Sequence, residues 1–390
     1  MTEDSVTMRA EAKVHSWLEF QGFADLAQAA EWYDRWARTA AMPLWWAQGA
    51  DGERGGFHEA LSVEGVPRPG ARRARVQSRQ VYAYATAGAM HWDGPWREAA
   101  WHGMTFFVER FRREDGLFRT LVGLDGAVLD DTAMLYDQAF ALLATATLHK
   151  MDPRNGRLPE VALGVLSGLD AMRYPAGGFR ENIAYPFQAN AHMHILEGAL
   201  AWAEHGLDPR WDALADEIVE MALRVFIDRE GGFLREFFNA DWTVASGDDG
   251  RLLEPGHQFE WAWLLERWGR LRDRDDALAA ARGLYAAGRR GIDPERGVVI
   301  NELWDDFSVR EATARLWPQT ERLKAEIVFG DEVDQLSAAE GLRLYLATPM
   351  LGVWRDKLRA DGTFIDEPAP ATSFYHILCA CTELFRLTGR

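Results

Sequence analysis

Cysteine is nearly missing from this chain: Cys379 and Cys381, in the run Cys-Ala-Cys, are the only two in 390 residues. Two thiols this close can build neither a disulfide framework nor a Cys-rich zinc site. They read as small buried hydrophobes, which suits a reducing compartment. Long apolar runs are missing as well, and none approaches the roughly 18 residues that a membrane helix needs. The opening stretch, MTEDSVTMRAEAKVHSWLEF, lacks the basic and apolar regions of a secretory signal. The expectation is a cytoplasmic protein with no membrane partner. Basic charge is scarce too, with 43 Lys and Arg against 60 Asp and Glu, a formal net charge of −17. Such a surface repels polyphosphate and argues against nucleic acid as a partner, although a local Arg cluster could still hold a small phosphorylated ligand. No GxxxxGK[ST] loop, no GxGxxG after a strand and no GxSxG elbow is present, so no nucleotide cofactor and no serine nucleophile is implied. Strand-like alternation is rare. No Ser- or Pro-rich linker divides the chain, so residues 1–390 read as a single domain.

What is present is enough apolar sequence for a large core, 48% of residues with 26% charged. A short motif, glycine followed by an apolar or aromatic residue, recurs along the chain. It appears as Gly55-Gly56-Phe57, Gly116-Leu117-Phe118, Gly177-Gly178-Phe179, Gly231-Gly232-Phe233, Gly297-Val298-Val299 and Gly362-Thr363-Phe364, at intervals of 54 to 66 residues. Each interval has room for two helices. Helical stripes run through 75–89 and 212–226, and Gly206 and Gly389 follow helical runs as stops. Six helical pairs closed on themselves give an all-α (α/α)6 barrel, with inner and outer helices in two rings. The Gly motifs become turns or short β-hairpins at one end. A linear α-solenoid is the alternative, disfavoured because the units exceed TPR or HEAT length and no polar capping units appear.

Three of the ten histidines stand among polar neighbours at helical spacing. In Asn190-Ala-His192-Met-His194-Ile-Leu-Glu197, His194 shares a face with Asn190 and with Glu197. His192 and His194, two apart, lack the i, i+4 spacing of a helical two-His metal site. In Glu254-Pro-Gly-His257-Gln-Phe-Glu260-Trp261, Pro255 suits a helix start, and His257 then shares a face with Glu260. The third is His376, in Ala371-Thr-Ser-Phe-Tyr375-His376-Ile377. The bland reading of each is a satisfied core or first-turn residue. Arg75-Arg79-Tyr82, Tyr136-Asp-Gln138-Ala-Phe140 and Trp317-Pro-Gln319-Thr-Glu321 are further polar and aromatic clusters. Arg, Gln, Glu and Tyr bind sugar hydroxyls, and Trp stacks on the apolar face of a sugar ring. Much of the tryptophan content, 17 in all, is also explained by core filling.

Six runs taken together, RVQSRQVYAYA (75–85), LYDQAFALL (135–143), NAHMHILEGAL (190–200), EPGHQFEWAWLL (254–265), LWPQTERLKA (316–325) and ATSFYHILCACTEL (371–384), resemble the N-acylglucosamine 2-epimerase superfamily. They occur in the family's order, from about residue 30 to 388. The resemblance implies an (α/α)6 barrel, a pocket at its mouth lined by inner helices, and an enzyme that isomerises aldoses and ketoses or epimerises C2 without a metal or other cofactor. It implies that His194, His257, Glu260 and His376 match the catalytic set and that Arg79, Tyr136 and Asn190 match substrate-binding positions. Trp317, Gln319 and Glu321 join them as substrate-binding candidates.

The chemistry begins with ring opening, after which a base near neutral pKa removes the C2 proton to give a cis-enediol(ate). By resemblance His376 is the base, and His257, backed by Glu260, opens the ring or acts as the opposing acid. Arg79 and His194 stabilise the oxyanion. The runs at 257–261 and 373–376 look most like the mannose isomerase branch, so D-mannose to D-fructose is the first expectation. N-acyl-D-glucosamine 2-epimerase and cellobiose 2-epimerase are alternatives, followed by mannose 6-phosphate isomerase, for which Arg72 and Arg73 leave room. A glycoside hydrolase or a non-catalytic sugar-binding protein would need, respectively, a carboxylate pair flanking the bond or no histidine trio at all. The partner is a small-molecule monosaccharide, and both monomer and homodimer are compatible with the sequence.

Overall fold

A computed structural model describes residues 22–390, so the N-terminal stretch read above for a secretory signal lies outside the described residues. Among the described residues there are twelve helices of eleven residues or more. They are α1 (Leu26–Trp36), α2 (Ala74–Ala89), α3 (Trp96–Phe111), α4 (Leu135–Met151), α5 (Arg157–Leu169) and α6 (Ala189–Ala203). They continue as α7 (Arg210–Met221), α8 (Pro255–Arg272), α9 (Asp275–Arg289), α10 (Leu316–Phe329), α11 (Glu332–Leu346) and α12 (Ser373–Thr388). The even-numbered helices pack side by side in the order α2, α4, α6, α8, α10, α12, and α12 returns to pack against α2. Each is backed by the next helix in sequence, α3, α5, α7, α9 and α11 in turn. The sixth partner is α1, which packs on α12, so the two ends of the described chain form one helical pair. No described helix is long and apolar enough to cross a membrane.

The two sets of helices differ as their places require. The outer α7 and α9 bury one stripe each, Trp211, Leu214, Ala215 and Ile218 in α7 and Ala277, Ala281 and Leu284 in α9. The inner α4 and α6 are covered on almost every side, from Asp137 to Ala146 and from Ala191 to Leu200. Polar residues on an inner helix are therefore buried, and each needs a partner.

All six glycine motifs close short antiparallel hairpins. Ile227–Asp228 pairs with Phe233–Leu234 and Ile292–Asp293 with Val298–Val299. Single bridges join Ala50 to Phe57, Arg112 to Phe118, Arg173 to Phe179 and Leu358 to Phe364. The motif needs glycine because its turn places a residue at positive φ; at Gly116, φ is +85°, and an added Cβ would lie 2.7 Å from the Gly164 carbonyl oxygen.

Each of the first five hairpins is clamped by the fourth residue of the following inner helix. Gln77 accepts from the Phe57 N–H and donates to the Phe57 carbonyl, at 2.8 and 2.9 Å. Gln138 does the same for Phe118, Gln258 for Leu234 and Gln319 for Val299. In the third unit the fourth residue is His192, whose Nε2 accepts from the Phe179 N–H at 3.0 Å. The fourth residue of α12 is His376, which turns instead to a carboxylate. Replacing a clamp strands one buried N–H and one buried carbonyl. Gln138→Ala is therefore expected to lower the unfolding free energy by about 1–3 kcal/mol in urea titration, with little change in substrate affinity.

Candidate active site

The sixth residues of five inner helices form a girdle around the ring. They are Arg79, Phe140, His194, Glu260 and Glu321, and successive members touch. The Arg79 guanidinium lies 4.0 Å from the Phe140 ring centre, and Phe140 and His194 are 4.6 Å apart by ring centres. His194 Nδ1 is 3.8 Å from Glu260 Oε1. On α12, His376 Nδ1 faces Glu321 Oε1 at 2.8 Å, and the Tyr375 ring is 5.2 Å from the Arg79 guanidinium. A 3.6-residue period brings the second residues of these helices to the same side. Of these, Tyr136 accepts from Arg79 Nη2 at 2.6 Å and sits edge-on to His194. Trp317 lies 5.0 Å from the His257 ring and 6.0 Å from the His376 ring. Asn190 is half-buried, and its side-chain oxygen has no partner within the protein.

Each of the three histidines presents Nδ1 to a carboxylate, which leaves Nε2 for a ligand. His194 Nδ1 faces Glu197 Oε2 at 3.3 Å, and Glu197 also accepts from the Tyr375 hydroxyl at 2.6 Å. The carboxylate behind His257 is not Glu260, as the i, i+3 spacing led us to expect, but Glu236, at 2.9 Å from Nδ1. Glu254 lies 3.8 Å from the same nitrogen, and burial raises its own pKa to about 7. Glu260 instead leans toward His194.

The electrostatics separate the histidines. Burial works against a charge on His257, but Glu236 and Glu254 outweigh it and raise its pKa to about 10. Burial lowers His194 to about 4 against the pull of Glu197. Burial, reinforced by the positive charges of Arg79 and Lys324, holds His376 well below the usual imidazole range. Burial and the neighbouring Glu321 push Glu260 well above the usual carboxylate range. At neutral pH the site thus offers one imidazolium, His257, beside two neutral imidazoles. Two titrating groups with pKa values driven apart are the mark of an acid and a base.

Gln319 does not join this surface. It is 1% exposed, and both atoms of its amide are spent on Val299 and Arg315 backbone groups. Arg72 and Arg73, the pair that left room for a phosphate, are also committed. Arg72 is fully buried against Asp51 and the Gly55 carbonyl, and Arg73 pairs with Glu59. A cavity of about 530 Å³ lies on the ring axis, but beyond the girdle, toward the C-terminal ends of the inner helices. Tyr82, Leu143, Glu197, Trp263 and Cys379 line it. On the hairpin side His257 and His376 are each 6% exposed, beside the half-buried Trp317. Three groups, His194 with Glu197 and Glu260, His257 with Glu236 and Glu254, and His376 with Glu260 and Glu321, hold their ligand-type atoms within 4.8 Å. In each of them Nδ1 is already turned to a carboxylate.

Glu236, Tyr375 and Lys324 belong to this site and were not singled out in the sequence. Glu236 had a signal: it stands two residues past the clamped hairpin residue, where the other units carry Glu59, Thr120, Glu181, Asn301 and Asp366. Glu59, Glu181 and Asn301 accept from backbone N–H groups at the entries of inner helices. Glu236 is turned to His257 instead.

The N-acylglucosamine 2-epimerase family model matches residues 55–380, and the chain belongs to that family. It is 45% identical over 372 residues to a mannose-6-phosphate isomerase of Rhizobium meliloti (strain 1021), covering 90% of this chain and 95% of that one. It is 23% identical to a D-mannose isomerase of Marinomonas mediterranea (strain ATCC 700492 / JCM 21426 / NBRC 103028 / MMB-1), over 85% of this chain and 91% of the other. Among solved structures, cellobiose 2-epimerase from Spirochaeta thermophila DSM 6192 superposes with a TM-score of 0.83 at 21% identity, covering 93% and 97% of the two chains. The chain is therefore a sugar isomerase or epimerase.

Proposed function

We propose that the chain, an (α/α)6 barrel, interconverts a mannose-configured aldose and the matching 2-ketose through a cis-enediol(ate). The observation that carries this reading is the pair of imidazoles beside Trp317, His257 and His376, each with Nδ1 on a carboxylate and Nε2 left free, one favoured as a cation and the other as the neutral ring. His257 donates from Nε2 to the ring oxygen as the C1–O5 bond breaks and the C1 hydroxyl releases its proton to water, which opens the sugar. His376 Nε2, held neutral, removes the C2 proton, exchanges it with solvent and delivers a proton at C1, while O1 gains a proton and the O2 hydroxyl gives one up. Arg79 and His194 stabilise the enediolate oxygen, Trp317 stacks on the sugar ring, and Tyr136 and Asn190 take hydroxyls. No step requires a metal, so dialysis against a chelator is expected to leave turnover unchanged.

Two observations bear on the sugar. The 45% identical relative favours D-mannose 6-phosphate, giving fructose 6-phosphate. The commitment of Arg72 to Asp51 and of Arg73 to Glu59, which leaves neither for a phosphate, favours uncharged D-mannose, giving D-fructose. At 45% identity over nine-tenths of the chain the relative weighs more, so the 6-phosphate is the first reading and the free sugar the second. Proton NMR of the purified protein with mannose 6-phosphate, mannose, N-acetyl-D-mannosamine and cellobiose distinguishes them. A ketose from the 6-phosphate with the higher kcat/KM is expected. Turnover confined to free mannose selects the second reading, and a 2-epimer in place of a ketose contradicts both.

A further inference from the structure

Lys324 is fully buried, on the face of α10 that also carries Trp317 and Glu321. Its ammonium makes an ion pair with Glu321 Oε2, the oxygen not used by His376, and lies 4.2 Å from the Trp263 ring centre. Glu260 and Glu197 lie near it as well. A buried lysine is costly unless it is paired, and here the pairing runs toward the candidate base.

We propose that Lys324 is a positioning residue for His376, acting through Glu321 to fix the imidazole with hydrogen on Nδ1 and the lone pair of Nε2 toward substrate. The argument is geometric. An ammonium on Oε2 keeps the other oxygen of Glu321 an acceptor, so the ring nitrogen 2.8 Å from it must donate. A histidine that donates from Nδ1 carries its lone pair on Nε2, the atom left free. Without the ammonium, Oε2 is left buried without a charged partner and the carboxylate is free to turn away from the imidazole. The ring then loses the partner that selects its tautomer. The cation–π contact with Trp263 and the packing inside the ring fix Lys324 in place, so the relay is held by its surroundings. This inference rests on the assignment of His376 as the base.

The test is a double-mutant cycle between Lys324→Met and Glu321→Gln, read as exchange of the substrate C2 hydrogen with D2O. K324M alone is expected to lower kcat by about 10–100-fold with KM changed less than threefold, the size of losing the hydrogen bond between His376 Nδ1 and the Glu321 carboxylate. In the E321Q background the same substitution is expected to cost less than twofold, because the path is already cut. If K324M does not fold, E321Q against E321Q/K324M still tests the proposal, since the double variant removes both members of the Lys324–Glu321 pair together. Nitrogen-15 NMR of the imidazoles gives a readout that needs no turnover: the His376 signal should report hydrogen on Nδ1 in the parent and a mixed tautomer in K324M. Equal losses in both backgrounds, or an unchanged His376 tautomer with only a lowered Tm, would overturn the proposal. A parent with no exchange on any sugar but with the tautomer shift present would sink the isomerase reading and leave the relay standing.

Discussion

His376→Asn is expected to lower kcat by roughly 10²–10⁴-fold, the range by which a positioned general base accelerates proton transfer. Its KM should move far less, because in the proposed mechanism the holding of the sugar falls to Arg79, Tyr136, Asn190 and Trp317. Asn keeps a hydrogen-bonding group facing Glu321 Oε1, which His376 Nδ1 meets at 2.8 Å, so the buried carboxylate is not stranded. The loss should therefore appear in rate rather than in folding. Exchange of the C2 hydrogen into D2O should fall in step with product formation, since both need the same proton removed. If isomerisation fell while exchange continued at the parent rate, His376 would not be the group that takes the C2 proton.

Glu236→Gln is expected to move the alkaline limit of activity to lower pH and to cost about 10–100-fold in kcat near pH 9. The sign follows from the pair. His257 is held as a cation up to about 10, chiefly by Glu236 against the cost of burial. An acid that works as a cation is present below that value, so parent activity should persist to about pH 10 and then fall. With the neighbouring charge removed, burial is less opposed and the proton leaves at lower pH. Stability shows the same linkage: a folded-state pKa above the usual 6.5 stabilises the fold fully below 6.5, and this contribution is lost as pH rises toward 10. Urea titrations at pH 6 and pH 9.5 should show a larger drop for the parent than for Glu236→Gln. An unshifted alkaline limit in the variant would mean that Glu254 alone maintains the charge on His257.

The six-fold plan is legible in the sequence because its signal is local. A turn that needs positive φ selects glycine, and the residue that fills the core behind it selects a large apolar side chain, as at Gly116 and Phe118. The closing pair was not legible, since α1 and α12 stand at opposite ends of the described chain and only packing brings them together. Inside the site, residues on one helix face were found: His194 with Glu197, and Trp317 with Glu321. Partners supplied by another element were missed or assigned to the wrong neighbour. Glu236 reaches His257 from a hairpin, whereas Glu260, at helical spacing, points to His194. Gln319 shows the reverse failure, a polar residue at the right helical level whose amide is consumed by Val299. The clamp repeats at Gln77, Gln138 and Gln258, so comparing units would have separated it from the substrate surface.

The measurement closest to the centre is the fate of hydrogen during turnover of mannose 6-phosphate in D2O, followed by proton NMR after dialysis against a chelator. Proton transfer by His376 through an enediolate should place solvent deuterium at C1 of the fructose 6-phosphate formed, and at C2 of the mannose 6-phosphate recovered. Fructose 6-phosphate formed throughout without deuterium at C1, or turnover abolished by the chelator, would contradict it.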